Sequence, residues 1–200
     1  QILNDVTFSI NKGEKVALVG QTGAGKTTII NLILGFYKID SGNILFDGKN
    51  MDDISLESIR KNVSFIQQNP YIFDDTIKIY IIINNNNISD ENIINILKQV
   101  GLYDRVKSFE NGIYEKINDN SFSKGEKQLL AFARAIAKET SIYVFDEPTS
   151  NVDVESEIQL KKVIDNLSKD STVIIIAHRP ATIENVDKVL KVEDGKVVQV

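Results

Sequence analysis

The sequence has no cysteine and a single histidine. The first absence excludes a disulfide framework and a thiolate metal site, and the second argues against a histidine-built zinc centre. Any metal taken up here is therefore expected to be held by oxygen. Basic residues are also scarce: 23 lysines and arginines against 28 aspartates and glutamates leave a net charge of -5. That balance removes the electrostatic drive for non-specific nucleic-acid binding, so no nucleic-acid partner is expected. Long apolar runs are missing too. Ile79 to Ile83 and Val173 to Ala177 fall far short of the roughly 20 residues that a membrane-spanning helix needs. The N-terminus has neither the basic nor the apolar region of a signal peptide and starts abruptly in a strand-like alternation, which suggests a piece of a longer protein.

What is present suffices for a large folded unit: 200 residues, 42% of them hydrophobic, can bury a substantial core. Val6, Phe8 and Ile10 alternate with polar residues and predict a strand, and Asn11 to Glu14 a turn into an apolar strand over Val16 to Val19. A helix is expected from Thr27 to Phe36, ended near Gly35, then a half-buried strand within Ser41 to Gly48 and a short one over Asn62 to Ile66. From about Asn69 the texture changes, because Ile93, Ile96, Leu97 and Val100 recur at helical spacing with no strong strand signal. The tract Asn84 to Asn87 reads as a solvated loop. Alternation of strand and helix resumes with strands at Ile142 to Phe145 and Thr172 to Ala177 around a helix from Val154 to Leu167. Asp194-Gly195 suits the type I′ turn of a terminal hairpin.

The chemistry is concentrated in a few motifs. Gly20-Gln-Thr-Gly-Ala-Gly-Lys26-Thr27 fits Gly-x-x-x-x-Gly-Lys-Thr between a strand and a helix. Glycines let successive backbone N–H groups converge on phosphate oxygens, and the helix that follows points its positive end at them. Lys26 would neutralise β- and γ-phosphate charge, and the Thr27 hydroxyl would hold Mg²⁺. Ile142-Tyr-Val-Phe-Asp146-Glu147 is an apolar strand ending in two carboxylates. Alone it reads as a solvated strand end; beside a phosphate loop, Asp146 is expected to bind Mg²⁺ and Glu147 to polarise an attacking water.

Other motifs follow in order: Gln67-Gln68-Asn-Pro70-Tyr-Ile-Phe73; Phe122-Ser123-Lys124-Gly125-Glu126, leading into a helix; Asp146-Glu-Pro-Thr-Ser150-Asn-Val-Asp153; and Ala177-His178-Arg179. Together with the phosphate loop they make the chain resemble, over nearly its whole length, the nucleotide-binding domains of ABC transporters. The resemblance implies an α/β P-loop NTPase core with a mainly parallel sheet, an antiparallel β part and an inserted helical lobe. It would form a single ABC ATPase domain, 1–200, with 1–68 and 138–200 as the ATP-binding core and 69–137 as the helical subdomain carrying the signature helix. It also implies that Gly20, Gln21, Thr22, Gly23, Ala24, Gly25, Lys26, Thr27, Thr28 and Gln68 bind ATP. Thr27, Gln68 and Asp146 would attend Mg²⁺, and Glu147 and His178 would act in hydrolysis. Phe122, Ser123, Lys124, Gly125 and Glu126 would address the ATP of a partner subunit, and Ser150 and Asp153 would lie at the dimer interface.

Seen singly, most of these residues have plainer readings: a loop amide for Gln68, a buried histidine for His178, and an ordinary capping box for Ser123 with Glu126. The signature departs from the common Leu-Ser-Gly-Gly-Gln at Phe122, Lys124 and Glu126, and Lys124 is expected to point into solvent. Tyr80 stands where exporters often carry asparagine, and Asp119 is the candidate for an acidic contact ahead of the signature. Similarity of Phe73 to Ile77 and of Ala177 to Ile183 to exporter segments implies an ATPase that powers export at the cytoplasmic face of a membrane. Its partners would be a second nucleotide-binding domain, identical or not, and a transmembrane domain. A non-transport ABC ATPase and a regulatory ATP-binding module with little turnover are the rival readings.

Overall fold

The computed structural model describes residues 2–83, 85, 87–150, 152–177 and 185–200. Along the chain run β1 (Lys15–Val19), α1 (Lys26–Ile33), β2 (Leu45–Phe46), β3 (Lys49–Asn50), α2 (Leu56–Asn62) and β4 (Val63–Ile66). Then come β5 (Asp75–Thr76), α3 (Ile77–Ile82), α4 (Asp90–Gln99), α5 (Tyr103–Lys107), β6 (Lys116–Ile117) and α6 (Lys124–Ala137). The last elements are β7 (Ile142–Asp146), α7 (Val154–Leu167), β8 (Thr172–Ala177), β9 (Lys188–Glu193) and β10 (Lys196–Gln199). Two compact units emerge: Gln1–Ser64 with Thr140–Asp146 and Ser171–Val200, and Phe65–Glu139 with Glu147–Asp170. The sequence divided the chain at 68/69 and 137/138; here the segment 147–170, with α7, groups with the second unit.

The first unit is organised by a sheet in the order β10-β9-β1-β8-β7-β4, of which β9, β1, β8 and β7 pair in parallel and β10 returns antiparallel to β9. Parallel strands covered on both faces need side chains that are apolar throughout rather than alternately. Val173 to Ala177 and Val16 to Leu18 meet that demand, and all of them are buried. The turn before β1 is pinned by Glu14, which accepts from the N–H and side-chain amide of Asn11 and from Lys188. The Asn11 N–H bond, followed by Lys188, draws the Glu14 carboxyl down to about 2. Asp194 and Gly195 both have positive φ, as the type I′ hairpin turn between β9 and β10 requires.

Two expectations fail in this unit. Val6, Phe8 and Ile10 keep their alternating exposure but form no strand. Alternation specifies faces, whereas a strand also needs a ladder; just ahead of this stretch the Asn4 N–H donates to Gly195 O in the terminal hairpin turn. Within Ser41 to Gly48 only Leu45–Phe46 is extended, closing a two-residue hairpin with Lys49–Asn50.

The second unit is built on α6, whose Leu129 to Ala133 are all buried, with α3, α4 and α7 packed against it. Ser89 caps α4, Asp153 caps α7, and both are followed by acidic residues that suit the positive helix end. The sequence showed no strand here, yet Asp75–Thr76 and Lys116–Ile117 pair antiparallel. Two-residue strands carry no periodic signal to read. Of the Asn84 to Asn87 tract, Asn84 and Asn86 lie outside the described residues.

Candidate functional site

In the first unit, β1 delivers the chain into the loop Gly20–Gly25 and then into α1. Gly20 has φ 150°, and a Cβ there would stand 2.2 Å from the main-chain oxygen of Val192. Only glycine fits against that strand. Gly25 is the N-cap of α1 with φ 108°, has no side-chain cap, and the first turn of the helix carries no acidic residue. No side-chain oxygen therefore caps the N–H groups at this helix end. Lys26 is only 5% exposed, and its Nζ donates to the carbonyls of Gly20 at 2.8 Å and Gln21 at 2.9 Å. Its charge is thereby held inside the loop. Thr27 is exposed and Thr28 half-buried, at the same helix end. The register carries Leu18 across Ile176 of β8 to Asp146, the last residue of β7. A carboxylate thus ends one strand nearly level with the point where another opens into the loop.

In the second unit, Gln68 Nε2 donates to Glu147 Oε2 at 2.9 Å and to Ser150 Oγ at 3.1 Å. Glu147 has φ 45°, a left-handed conformation that costs a residue with a Cβ about 1–3 kcal/mol and that collects at functional positions. The Ser150 N–H closes the turn by donating to the Glu147 carbonyl at 3.0 Å. Gln68, distant in sequence, thus joins the neighbouring Glu147 and Ser150 in one hydrogen-bonded group.

The start of α6 is a complete capping box: Ser123 Oγ accepts the Glu126 N–H, and Glu126 Oε2 accepts the Ser123 N–H at 2.8 Å. Lys124 is exposed, as anticipated, and Phe122 is buried. A Cβ on Gly125 would lie 2.4 Å from Ser156 Oγ and 2.7 Å from Asp153 Oδ2, so this glycine admits the close approach of α7. Asp153 accepts the Ser156 N–H and hydroxyl, and those bonds, the N–H first, hold its carboxyl below the usual carboxylate range.

Asp119 accepts from Lys127 Nζ at 2.7 Å and from the Ile72 N–H at 3.1 Å, and is held below its ordinary pKa by the lysine and then by the backbone bond. It ties the segment after Gln68 to α6. Tyr80 is fully buried beside Phe73, with the Arg134 guanidinium 4.6 Å from its ring centre. His178 and the segment 178–184 lie outside the described residues, as does Asn151. Sequence reasoning gave no role to Arg105, which reaches the Glu126 carboxylate at 3.2 Å; the one available signal was an arginine four residues before an aromatic, Phe109.

A parallel sheet whose strand opens through a glycine-rich loop into an uncapped helix is the nucleotide-binding fold of P-loop NTPases. Within that class, the family model described as "ABC transporter" matches residues 3–150. The chain belongs to the ABC transporter family. It is 37% identical over 201 residues to the probable multidrug resistance ABC transporter ATP-binding/permease protein YheH of Bacillus subtilis, covering 100% of this chain and 30% of that protein. It is 38% identical over 200 residues to a putative multidrug export ATP-binding/permease protein of Staphylococcus aureus, covering 99% of this chain and 35% of that protein. It also matches a bacterial Atm1-family ABC exporter solved with ATP bound, with TM-score 0.91, 31% identity, and coverage of 98% of this chain and 35% of that one. The chain thus spans about a third of the length of these relatives. Nucleotide binding is the property the family assignment carries.

Proposed function

We propose that this chain is an ATP-binding and ATP-hydrolysing domain that powers export across a membrane by ATP-driven, head-to-tail pairing with a second such domain. The observation that carries the proposal is the start of α1, where uncapped N–H groups and the sequestered Lys26 call for a highly charged anion. Gly20 to Thr28 cradle the triphosphate. Thr27, Asp146 and the carbonyl end of Gln68 are all oxygen donors, which suits a hard cation that keeps several of its waters. Bound Mg²⁺ would supply charge neutralisation at the β- and γ-phosphates.

Glu147 accepts a hydrogen bond from water and draws off its proton as the water oxygen bonds to the γ-phosphorus. The bond from that phosphorus to the β,γ-bridging oxygen breaks, leaving ADP and phosphate. Gln68, through its amide nitrogen, orients the Glu147 carboxylate beforehand. His178 is proposed as a second hydrogen-bonding group at the γ-phosphate. Ser123 and Gly125, with their neighbours Phe122, Lys124 and Glu126, address ATP held by the other domain, and Ser150 and Asp153 lie where the two domains meet. In this reading 1–200 works as one ABC ATPase domain.

Transport itself needs membrane helices, and among the described residues no helix is long and apolar enough to cross a membrane. The names of the relatives, which join ATP-binding and permease functions, support a transmembrane partner domain and a place at the cytoplasmic face of a membrane. The test compares ATPase activity and ATP-dependent dimerisation of the wild type with those of Glu147→Gln. Turnover should fall by about 10²-fold or more while the ATP-bound dimer accumulates. A wild type that binds ATP and dimerises without turnover would instead make it a regulatory module.

A further inference from the structure

The signature presents an electrostatic conflict. Glu126 lies in the first turn of α6, where the common motif has a neutral glutamine, and the proposed task of that helix end is to receive phosphate charge. Its carboxylate caps the helix well and repels an anion equally well. One carboxylate oxygen, Oε2, is bound to the Ser123 N–H. The other, Oε1, meets Arg105 Nε at 3.2 Å.

Arg105 is held in place more firmly than most exposed arginines. Its guanidinium carbon lies 4.4 Å from the centre of the Phe109 ring and 6.0 Å from that of Phe122, and the two rings meet edge to face at 5.9 Å. Its remaining nitrogens reach the Ser108 hydroxyl at 3.4 Å and the Ser121 carbonyl at 3.5 Å. Planar stacking and multiple donors suit arginine and not lysine. The residue thus touches two of the three unusual signature positions, Phe122 by stacking and Glu126 by charge. The capping box occupies the N–H groups of Ser123 and Glu126, while those of Lys124 and Gly125 have no intrahelical acceptor.

We propose that Arg105 is a positioning residue for this signature: it cancels the charge of Glu126 and fixes Phe122, so that the start of α6 can accept the phosphate of a second domain's ATP. The inference rests on the ABC ATPase reading above. Arg105 itself does not touch the nucleotide.

The test titrates ATP-dependent dimerisation of the whole protein in the Glu147→Gln background, which reads the effect without turnover, together with ATP binding by the monomer and KM and kcat in the wild-type background. Arg105→Gln should raise the ATP concentration for half-maximal dimerisation, and KM, by about two- to fivefold, the range of an exposed ion pair. Monomer ATP binding and kcat should stay nearly constant. In an Glu126→Gln background the same substitution should have no such effect, because there is no charge left to cancel. Arg105→Lys should fall between wild type and Arg105→Gln.

An unchanged half-point in Arg105→Gln overturns the proposal, and so does an equal rise in the Glu126→Gln background, which would mean that the arginine only supports the fold. A lysine variant as poor as the glutamine one overturns the charge argument in favour of the stack. If the parent protein binds no ATP, it is the ABC ATPase reading that fails.

Discussion

Two helices in this chain begin at glycine-containing motifs, and they begin in opposite ways. α1 starts at Gly25 with no side-chain cap and no acidic residue in its first turn. α6 starts at Ser123 with a full capping box, and its third residue, Glu126, is itself an anion. A helix end that satisfies its own donors can stand alone, whereas one that does not is completed by a ligand. Under the proposed function, the contrast gives α1 the main burden of phosphate binding and α6 a supporting contact that must first manage its own negative charge. It extends to the glycines. Gly20 faces a main-chain carbonyl, which cannot turn aside, and Gly125 faces the side chains of Ser156 and Asp153, which can.

The largest effect that would sharpen this comparison comes from Gly20→Ala. The added Cβ meets Val192 O at 2.2 Å, and we expect a loss of about 2–4 kcal/mol in stability with collapse of ATP affinity. Thermal unfolding and nucleotide titration check it; an alanine tolerated in both would break the claim that β9 sets the loop. Gly125→Ala should be milder, about 1–2 kcal/mol, because the neighbouring side chains give way. Combining it with Ser156→Gly should cost less than the two single changes added together, a coupling that a double-mutant cycle measures. Additive costs would mean that the contact with α7 is not what makes this position glycine.

The smallest effect concerns acid. The folded carboxyl of Asp153, which caps α7, is held below its ordinary value, so its contribution is present above about pH 4 and is lost as the pH falls through the folded pKa. Hydrogen exchange in the first turn of α7 should therefore accelerate at the acid end of a titration. The first turn of α1, which has no titratable cap, should show no corresponding step.

Much of this was legible in the sequence, for identifiable reasons. β8 was read with the bounds it has because an unbroken apolar run is a strong local signal, and α7 lies where a helix was expected. The phosphate loop was legible because its function is written in contiguous residues. The bonds from Gln68 to Glu147 and Ser150 were not, since folding makes them across 79 and 82 positions of sequence. Arg105 escaped for the same reason: an exposed arginine on a five-residue helix looks ordinary until Glu126 is found beside it. The strand foreseen at Val6 to Ile10 shows the opposite error, a correct alternation lacking a pairing partner.

The order of strands also has a consequence for how the molecule is made. β1 leaves a ribosome well before the strands on both sides of it, β8 and β9, and the Gly13 N–H finds Thr172 Oγ1 across 159 positions. During synthesis the apolar face of β1 has no cover, while α3 to α6 lie in one stretch and can associate as soon as they emerge. Late closure of long-range parallel pairs is slow and prone to aggregation. The strand that feeds the phosphate-binding loop is therefore flanked only once β8 and β9 have emerged, and a truncation before β8 is expected to cost the loop that support.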